Sequence, residues 1–327
     1  MANSSTLNCS CLEQCPAEIF LELFKYIPLH QLYYGFYNLN QRINDILRSV
    51  TELSLTLNKP EDIDDAAVDF FASSIYHLNV QHPIAIKFNR FPSLRSIVSL
   101  LPRDRQLRCI KSKDLPNLTH LTLGFAAIWD CEIMARLCQR IISNKFPKLR
   151  YCSLWPPVFD TEAVIIQTPL LTHIELKEGN LDDLCVVLNS CPNLKYLKML
   201  VSIYAKAPVK PIQSLSVKRL KVSFIRGDSN WFENFDHLLS LLPNIKRLFF
   251  HVCVVQMDFN QLSSILNKRL LHLRYLQCEI HSTAFPIKLN SLRRYHSLFN
   301  NIDLQNVDDN DCRCDGLKIC INDEKKG

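Results

Sequence analysis

A short frame of apolar residues, L-x-x-L-x-L, recurs through the middle of the chain and constrains its fold more than any other feature. Clear copies are LPNLTHLTL (115–123), FPKLRYCSL (146–154), TPLLTHIEL (168–176), CPNLKYLKM (191–199), LPNIKRLFF (242–250) and LLHLRYLQC (270–278). Looser copies are VTELSL (50–55), IYHLNV (75–80), LRSIVS (94–99) and VKRLKV (217–222). Their first apolar positions (50, 75, 94, 118, 149, 171, 194, 217, 245 and 273) are 19 to 31 residues apart, which indicates a repeat protein.

Each frame predicts a short strand, because its fourth and sixth residues point to one face of the strand and its third, fifth and seventh residues point to the other. Segments of helical period lie between frames, at 131–142, 181–188, 231–242 and 262–266, with Asn180 as the N-cap of the second. A strand and helix of this size cannot bury their apolar side alone, whereas stacked copies form a curved solenoid with parallel inner strands and outer helices. We therefore predict an α/β solenoid over residues 50–302 with nine to eleven units.

The segment CPAEIFLELFKYIPLHQLYYGFYNLNQRINDIL (15–47) is unusually rich in large apolar side chains. Pro16 suits a first helical position, Pro28 stops that helix, and HQLYYGFYNL and NQRINDIL predict two more short helices. A chain of fewer than about forty residues cannot enclose so many apolar groups. Part of the apolar surface must be covered by the first repeat, which makes the segment a solenoid cap, or by another protein.

Both parts of the chain resemble known families. The repeats resemble the leucine-rich-repeat family over residues 50 to about 280, although the Asn or Cys that the family has after its last framework leucine is mostly absent. The N-terminal segment resembles an F-box. The matching residues are Pro16, Glu18, Ile19, Leu23, Phe24, Tyr26, Ile27, Leu32, Leu39, Arg42 and Ile43. The segment departs from the pattern at Cys15, where leucine is usual, at Gln31, where aspartate is usual, and in LNQRI, which replaces Cys-Lys-Arg-Trp.

The resemblance implies a non-catalytic adaptor. F-box proteins bind a Skp-type adaptor through this helical module, and that adaptor joins them to a cullin-based SCF ubiquitin ligase, while the repeats hold a protein substrate. The residues that the resemblance assigns to the Skp-type adaptor are Pro16, Glu18, Ile19, Leu23, Ile27 and Leu32. The predicted domains are an F-box at 10–49, about ten repeats at 50–302 and, from its acidic composition, a flexible tail at 303–327.

Two alternatives stay open beside this interpretation. One is a leucine-rich-repeat scaffold or interaction protein whose N-terminal helices only cap the solenoid. The other is an F-box protein that binds the adaptor but never assembles with a cullin.

The strand residues that point away from the predicted helices form columns on the concave face. The first column is Glu52, His77, Ser96, His120, Tyr151, His173, Tyr196, Arg219, Arg247 and Tyr275. The second column includes Glu175, Lys198 and Lys221, and the third includes Trp155. Aromatic residues and arginine are enriched at binding hot spots, and clustered cations suit phosphate or carboxylate groups. We therefore predict that this face binds an acidic or phosphorylated substrate; the alternative is an ordinary solvated strand surface. The predicted contact residues are Tyr151, Trp155, Tyr196, Lys198, Arg219, Lys221 and Arg247.

The net charge of +6 is unevenly distributed along the chain. Residues 1–49 contain three Lys/Arg and four Asp/Glu, a net charge of −1, and residues 303–327 contain four Lys/Arg and seven Asp/Glu, a net charge of −3. Residues 50–302 therefore contain 31 Lys/Arg and 21 Asp/Glu, a net charge of +10. This excess favours an acidic partner for the repeats. The basic run at 90–113 has no interleaved aromatic platform, so we expect no nucleic-acid partner.

Other classes of function lack sequence support. No apolar run approaches the roughly 18 residues of a membrane span, and the N-terminus lacks a signal-peptide pattern, so we expect a cytoplasmic or nuclear protein with free thiols among its 14 cysteines. The clusters CSCLEQC (9–15) and CRCDGLKIC (312–320) lack the paired C-x-x-C spacing of a zinc site. No phosphate loop, Gly-x-Ser-x-Gly or His-Glu-x-x-His motif occurs. We therefore expect no enzymatic activity, no metal and no cofactor.

Overall fold

The structure, a computed structural model, describes residues 15–124, 131–155, 159, 166–201, 213–224, 231–284, 303–307 and 315–322. The strands are β1 (Leu53–Leu57), β2 (Ile75–Val80), β3 (Ser96–Ser99), β4 (His120–Leu123), β5 (Tyr151–Leu154), β6 (His173–Gly179), β7 (Tyr196–Val201), β8 (Arg219–Phe224), β9 (Arg247–Gln256), β10 (Tyr275–Ala284), β11 (Asp303–Val307) and β12 (Asp315–Asn322). The helices are α1 (Ala17–Phe24), α2 (Leu29–Phe36), α3 (Gln41–Ser49), α4 (Ala66–Phe71), α5 (Asp104–Cys109), α6 (Cys131–Ile142), α7 (Leu181–Ser190), α8 (Trp231–Leu241) and α9 (Phe259–Arg269). No helix in these ranges combines the length and apolar character required to cross a bilayer.

All twelve strands form one sheet, in which β1 to β10 lie in chain order and are followed by β12 and β11. Every neighbouring pair from β1 to β10 is parallel. Each of these ten strands lies on, or directly beside, one of the ten predicted frames. The α/β class is therefore confirmed, and the ten-stranded parallel sheet with its helices is compatible with a leucine-rich-repeat-like solenoid.

The core lies on the side of the sheet that faces the helices. The second framework position of each repeat from β2 to β10 forms one column of hydrogen-bonded strand neighbours, and every member is 0–1% exposed. The members are Leu78, Ile97, Leu121, Cys152, Ile174, Leu197, Leu220, Leu248 and Leu276. Alternation of side chains places the polar residues between them on the opposite side, which we call the open face.

The predicted helices form where expected. α6 spans 131–142 as predicted, and α8 ends one residue before the predicted boundary. Asn180 caps α7, because its side chain accepts a hydrogen bond from the Asp183 N–H at 2.8 Å, and the Asp183 carboxylate accepts one from the Asn180 N–H in return. α9 is longer than its apolar stretch predicted, since Asp258 caps it from further upstream.

A ladder of asparagines joins successive turns on the N-terminal side of the strands. Asn117 Nδ2 donates to the Pro92 carbonyl at 3.2 Å, and Asn193 Nδ2 donates to the Pro169 carbonyl at 3.0 Å. Asn244 makes the equivalent bond to a carbonyl in the preceding turn. These side chains lie before the strand, in the Pro-Asn-Leu or Pro-Asn-Ile part of the frame. They satisfy backbone carbonyls between repeats although the family's usual asparagine after the strand is mostly absent.

The three N-terminal helices pack onto the first repeat. The rings of Tyr33, on α2, and of Tyr37, directly after that helix, lie 5.5 and 5.0 Å from the ring of Phe70 on α4. Asp65, which caps α4, also accepts a hydrogen bond from the Tyr34 hydroxyl at 3.1 Å. The buried side chains of α1–α3 and of the repeats belong to a single apolar core. The segment therefore covers the end of the solenoid.

The C-terminal part differs from the prediction of a flexible tail. β12 pairs antiparallel with β10 over eight residues, from Asp315 opposite Ser282 to Asn322 opposite Tyr275, and β11 pairs with β12. The alternation in Leu-Lys-Ile-Cys-Ile-Asn is typical of a strand, and the last parallel strand otherwise leaves an unpaired edge. Residues 10–14 of the predicted F-box, most of the first cysteine cluster, and Cys312 and Cys314 of the second lie outside the described residues.

Candidate functional site

Helix α1 carries apolar side chains on two adjacent sides, one buried and one exposed. Phe20 and Phe24 are 1% exposed and belong to the core, where the ring of Phe24 lies 5.0 Å from that of Phe36. Ile19 and Leu23, four residues apart, are each 51% exposed, and Tyr26 continues this spacing just beyond the helix. We call Ile19, Leu23 and Tyr26 the apolar patch.

The other residues that the F-box resemblance assigns to the Skp-type adaptor differ in how far their side chains are exposed. Pro16 and Glu18 are exposed beside the apolar patch, and Ile27 is half-buried. Leu32 is 0% exposed, so its side chain cannot reach a partner while the helices stay folded. It lies one turn after the buried Leu29 on the inner side of α2, where it stabilises the helices instead.

The start of α1 is fixed by a backbone contact. The Arg42 guanidinium, on α3, donates a hydrogen bond to the carbonyl oxygen of Cys15. Asn40 caps α3 by accepting a hydrogen bond from the Ile43 N–H at 2.8 Å. Because Arg42 contacts the main chain of residue 15, the contact does not require the leucine that the F-box pattern has there.

The open face has the predicted columns from β2 onward. The successive register partners of the first column are His77, Ser96, His120, Tyr151, His173, Tyr196, Arg219, Arg247 and Tyr275. Glu52 does not belong to this column, because Ser54 lies opposite His77. The register shifts between Leu53 and Ser54, next to Glu52, whose φ of 61° lies in the left-handed region.

Five of the predicted contact residues already interact with neighbouring side chains on the open face. Lys198 Nζ lies 3.2 Å from Glu175 Oε2, and the Glu175 side chain is only 15% exposed. Burial, followed by the Glu175 charge, raises the pKa of Tyr151 to about 12. The Arg219 guanidinium lies 5.6 Å from the centroid of the Tyr196 ring, within cation–π range. Trp155 has a similar contact with the Lys177 ammonium at 6.0 Å.

Two histidines on the open face are oriented by the threonines that precede them. The Thr119 hydroxyl donates to the Arg95 carbonyl at 3.0 Å, so it accepts from His120 Nδ1 at 2.8 Å. Thr172 and His173 repeat the arrangement. Burial, and to a smaller extent the Arg219 charge, lowers the pKa of His173. The apolar frame alone does not predict these pairs, whereas the repeated Thr-His dipeptide at the start of a strand is a sequence signal for them.

A basic strip runs across the N-terminal ends of β7–β10. We define it by exposed side chains at or directly before these strands: Lys195, Arg219, Lys221, Lys246, Arg247 and Arg274. Among the described residues of β6–β10, Glu175, Glu178 and Glu279 are the acidic ones, and the first of these is paired with Lys198. Adjacent cations on neighbouring strands create a positive field that suits phosphate or carboxylate groups.

The described side chains include no group of three or more His, Cys, Asp or Glu arranged to hold a metal ion. No protein-family model matches the chain, and no curated protein matches it. Among solved structures, the chain is similar to a leucine-rich-repeat protein of Leptospira interrogans, with 11% sequence identity and a TM-score of 0.26 over 78% of this chain and 84% of that protein. The fold and the two surfaces therefore rest on the strand pairing and side-chain exposure described above.

Proposed function

We propose that the chain is a non-catalytic substrate-recognition subunit of an SCF-type ubiquitin ligase. In this proposal α1–α3 bind a Skp-type adaptor, which connects the chain to a cullin, and the open face binds a protein substrate. The observation that carries the proposal is the division of α1 into a buried side, with Phe20 and Phe24, and the exposed apolar patch.

The cap alternative explains only part of this arrangement. α2 and α3 cover the first repeat, and that contact accounts for Leu29, Leu32, Ile43 and Leu47, which are buried. It does not account for Ile19 and Leu23, since a cap requires a polar outer surface. Fully burying an aliphatic side chain of this size stabilises a complex by about 1.5–3 kcal/mol. Two half-exposed residues one helical turn apart therefore favour a protein partner for this side of α1.

The basic strip supports the second half of the proposal. Its cations favour a substrate segment with carboxylate or phosphate groups, and Tyr196 supplies an aromatic surface beside Arg219. The proposed role requires no catalytic group, since holding a substrate lysine near a charged E2 enzyme raises the effective concentration of the reacting groups.

Affinity purification of the tagged full-length chain from a eukaryotic cell tests this function. Recovery of both a Skp-type adaptor and a cullin supports the proposal, whereas the adaptor alone supports an F-box protein outside SCF ligases. Recovery of neither supports the interaction scaffold.

A variant and its control make the purification specific to α1. Ile19→Asp with Leu23→Asp should abolish adaptor recovery, because charged groups replace the apolar patch. Leu271→Asp changes a leucine that is 80% exposed and lies far along the chain, so it should leave recovery unchanged. Circular dichroism spectra that match the wild type confirm that either variant is folded.

A further inference from the structure

Two exposed leucines follow strand β3 at the C-terminal end of that strand. Leu100 is 45% exposed and Leu101 is 49% exposed, although the large apolar side chains that come next in the chain, Leu107 and Ile110, are buried. Pro102 is buried as well, so the chain turns back into the repeat directly after the leucines. The fold therefore leaves two adjacent apolar side chains in contact with solvent.

The backbone beneath these leucines is held by hydrogen bonds to the repeats on both sides. The Leu100 N–H donates to the Val80 carbonyl, at the end of β2, at 3.0 Å. The Gly124 N–H, directly after β4, donates to the Ser99 carbonyl at 2.7 Å. Turning the Leu100 side chain into the core requires rotation of this backbone, which breaks both bonds. The exposure of the leucines is therefore a fixed property of the fold.

Five basic residues with exposed side chains follow the leucines in the chain. They are Arg103, Arg105, Arg108, Lys111 and Lys113. The acidic residues of the same stretch, Asp104 and Asp114, are half-buried, so residues 100–114 carry a net charge of +3 (five Lys/Arg, two Asp) with the positive groups outermost. Arg103 and Arg105 are two and four residues beyond Leu101, so their Cα atoms lie within about 14 Å of its Cα atom. We call the two leucines and the five basic residues the leucine–cation patch.

We propose that the leucine–cation patch binds the surface of a membrane that contains anionic lipids. The leucine side chains enter the headgroup layer and leave water, while the cations lie against the phosphate and carboxylate groups of the lipids. Protein interfaces are enriched in aromatic residues and depleted of lysine, whereas this patch contains two lysines and no aromatic residue, which favours a lipid surface over an acidic protein. The patch is separate from the apolar patch and the basic strip, so the inference does not depend on the proposed ligase function.

Co-sedimentation of the full-length chain with lipid vesicles tests the charged part of the patch. The chain should bind vesicles of phosphatidylcholine mixed with phosphatidylserine and should not bind vesicles of phosphatidylcholine alone. Arg103→Gln with Arg105→Gln should weaken binding to the mixed vesicles by about tenfold or more. The matched control is Arg219→Gln with Lys221→Gln, which removes the same charge from the open face and should leave lipid binding unchanged. Equal weakening in both variants, or no binding of the wild type to the mixed vesicles, would overturn the proposal.

A second pair of variants tests the leucines separately from the charge. Leu100→Ser with Leu101→Ser keeps every cation but should weaken binding to the mixed vesicles by about tenfold, because the apolar side chains no longer enter the headgroup layer. Leu215→Ser with Leu271→Ser is the matched control, since it replaces two exposed leucines elsewhere in the chain and should leave lipid binding unchanged. Circular dichroism spectra that match the wild type confirm that each variant is folded. Undiminished vesicle binding by Leu100→Ser with Leu101→Ser contradicts the lipid assignment and leaves a patch that fits an acidic protein.

Discussion

The Lys198 ammonium lies 3.2 Å from the Glu175 carboxylate on the neighbouring strand, and the same carboxylate interacts with Tyr151 on the strand beyond. One acidic residue thus connects two of the residues predicted to bind a substrate. Lys198 is therefore partly neutralised, and the positive charge of the open face is concentrated in the basic strip further along the sheet.

Replacement of Glu175 should change the titration of Tyr151. Glu175→Gln removes the carboxylate charge, so the pKa of Tyr151 should fall from about 12. It should stay above the usual value of about 10 for tyrosine, because burial is the larger cause and persists in the variant. Phenolate absorbance measured during an alkaline titration, with Tyr151→Phe as the subtraction reference, follows this group alone. An unchanged Tyr151 titration in Glu175→Gln would show that the contact does not form in solution.

The two glycines at 124 and 35 should respond to alanine in opposite ways. A Cβ at Gly124 would overlap the backbone carbonyl of Leu100, and neither backbone can move without breaking the bond from Gly124 N to Ser99 O at 2.7 Å. Gly35 is helical and has nothing within 4 Å of such a Cβ. Gly124→Ala should lower the free energy of unfolding by about 1–3 kcal/mol. Gly35→Ala should raise it by about 0.5–1 kcal/mol, since alanine is the better helix former.

Urea denaturation of the two variants measures this difference. Because Gly35→Ala makes the same chemical change without the overlap, it is the control for Gly124→Ala. Equal midpoints for the two variants would mean that the close approach of Gly124 to Leu100 is absent in solution.

The sequence predicted the strand positions because each frame encodes them locally. The apolar column from Leu78 to Leu276 follows from alternation alone, and Asn180 follows from local capping chemistry. Contacts between distant parts of the chain were not predictable in this way. The displacement of Glu52 accompanies a left-handed backbone angle at that residue and a register shift beside it. The neutralisation of Lys198 depends on which repeat lies beside it, and the β10–β12 pair joins residues about forty positions apart.

The candidate surfaces were predictable to a similar extent. Helical spacing placed Ile19, Phe20, Leu23 and Phe24 on one broad apolar side, but spacing does not show where the core ends. The packing of α3 and α2 decides that Phe20 and Phe24 are covered while Ile19 and Leu23 are exposed. A pocket lined by Arg108, on α5, and Arg140, on α6, could not be predicted, since these residues are brought together only by the packing of two helices from separate repeats.

Leu32 should behave as a core residue rather than as a contact residue. Leu32→Ala removes a side chain that is 0% exposed, and it should lower the free energy of unfolding by about 2–5 kcal/mol. Leu39→Ala is the matched control, because Leu39 is also a leucine of the F-box-like pattern but is 61% exposed. It should change stability by less than about 0.5 kcal/mol. Chemical denaturation followed by circular dichroism compares the two, and similar losses would contradict the buried position of Leu32.

The Asp236–Arg269 pair should stabilise the contact between α8 and α9 in a pH-dependent way. Arg269 Nε and Nη2 donate to the two carboxylate oxygens at 2.7 and 2.8 Å, and this hydrogen bonding lowers the pKa of Asp236 despite partial burial. A carboxyl whose pKa is lower in the folded state adds stability above its unfolded pKa of about 3.9, and that contribution is lost as pH falls through the folded value. Asp236→Asn should therefore cost about 1–2 kcal/mol at neutral pH.

Denaturation at several pH values measures this contribution. The difference between the wild type and Asp236→Asn should be constant near neutral pH. It should begin to shrink below about pH 4, where the carboxyl of the unfolded chain is protonated, and should be lost once the pH falls below the lowered pKa of the folded state. Glu233→Gln, on the same helix, is the control for a general charge effect. A difference that does not change with pH would assign the loss to packing instead of the ion pair.

The basic strip should select phosphorylated peptides over their unphosphorylated forms. An arrayed peptide library, probed with the full-length chain in paired phosphorylated and unphosphorylated versions, measures this preference directly. Arg219→Gln with Lys221→Gln should reduce the preference by about tenfold or more, because charge-assisted hydrogen bonds to phosphate contribute about 1.5–3 kcal/mol each. Arg103→Gln with Arg105→Gln removes the same net charge outside the open face and should leave the preference intact. Diffuse electrostatic attraction would respond equally to both double variants, so equal losses of preference would assign peptide binding to net charge. A loss confined to the Arg219→Gln, Lys221→Gln variant would place the phosphate contact on the exposed end of β8.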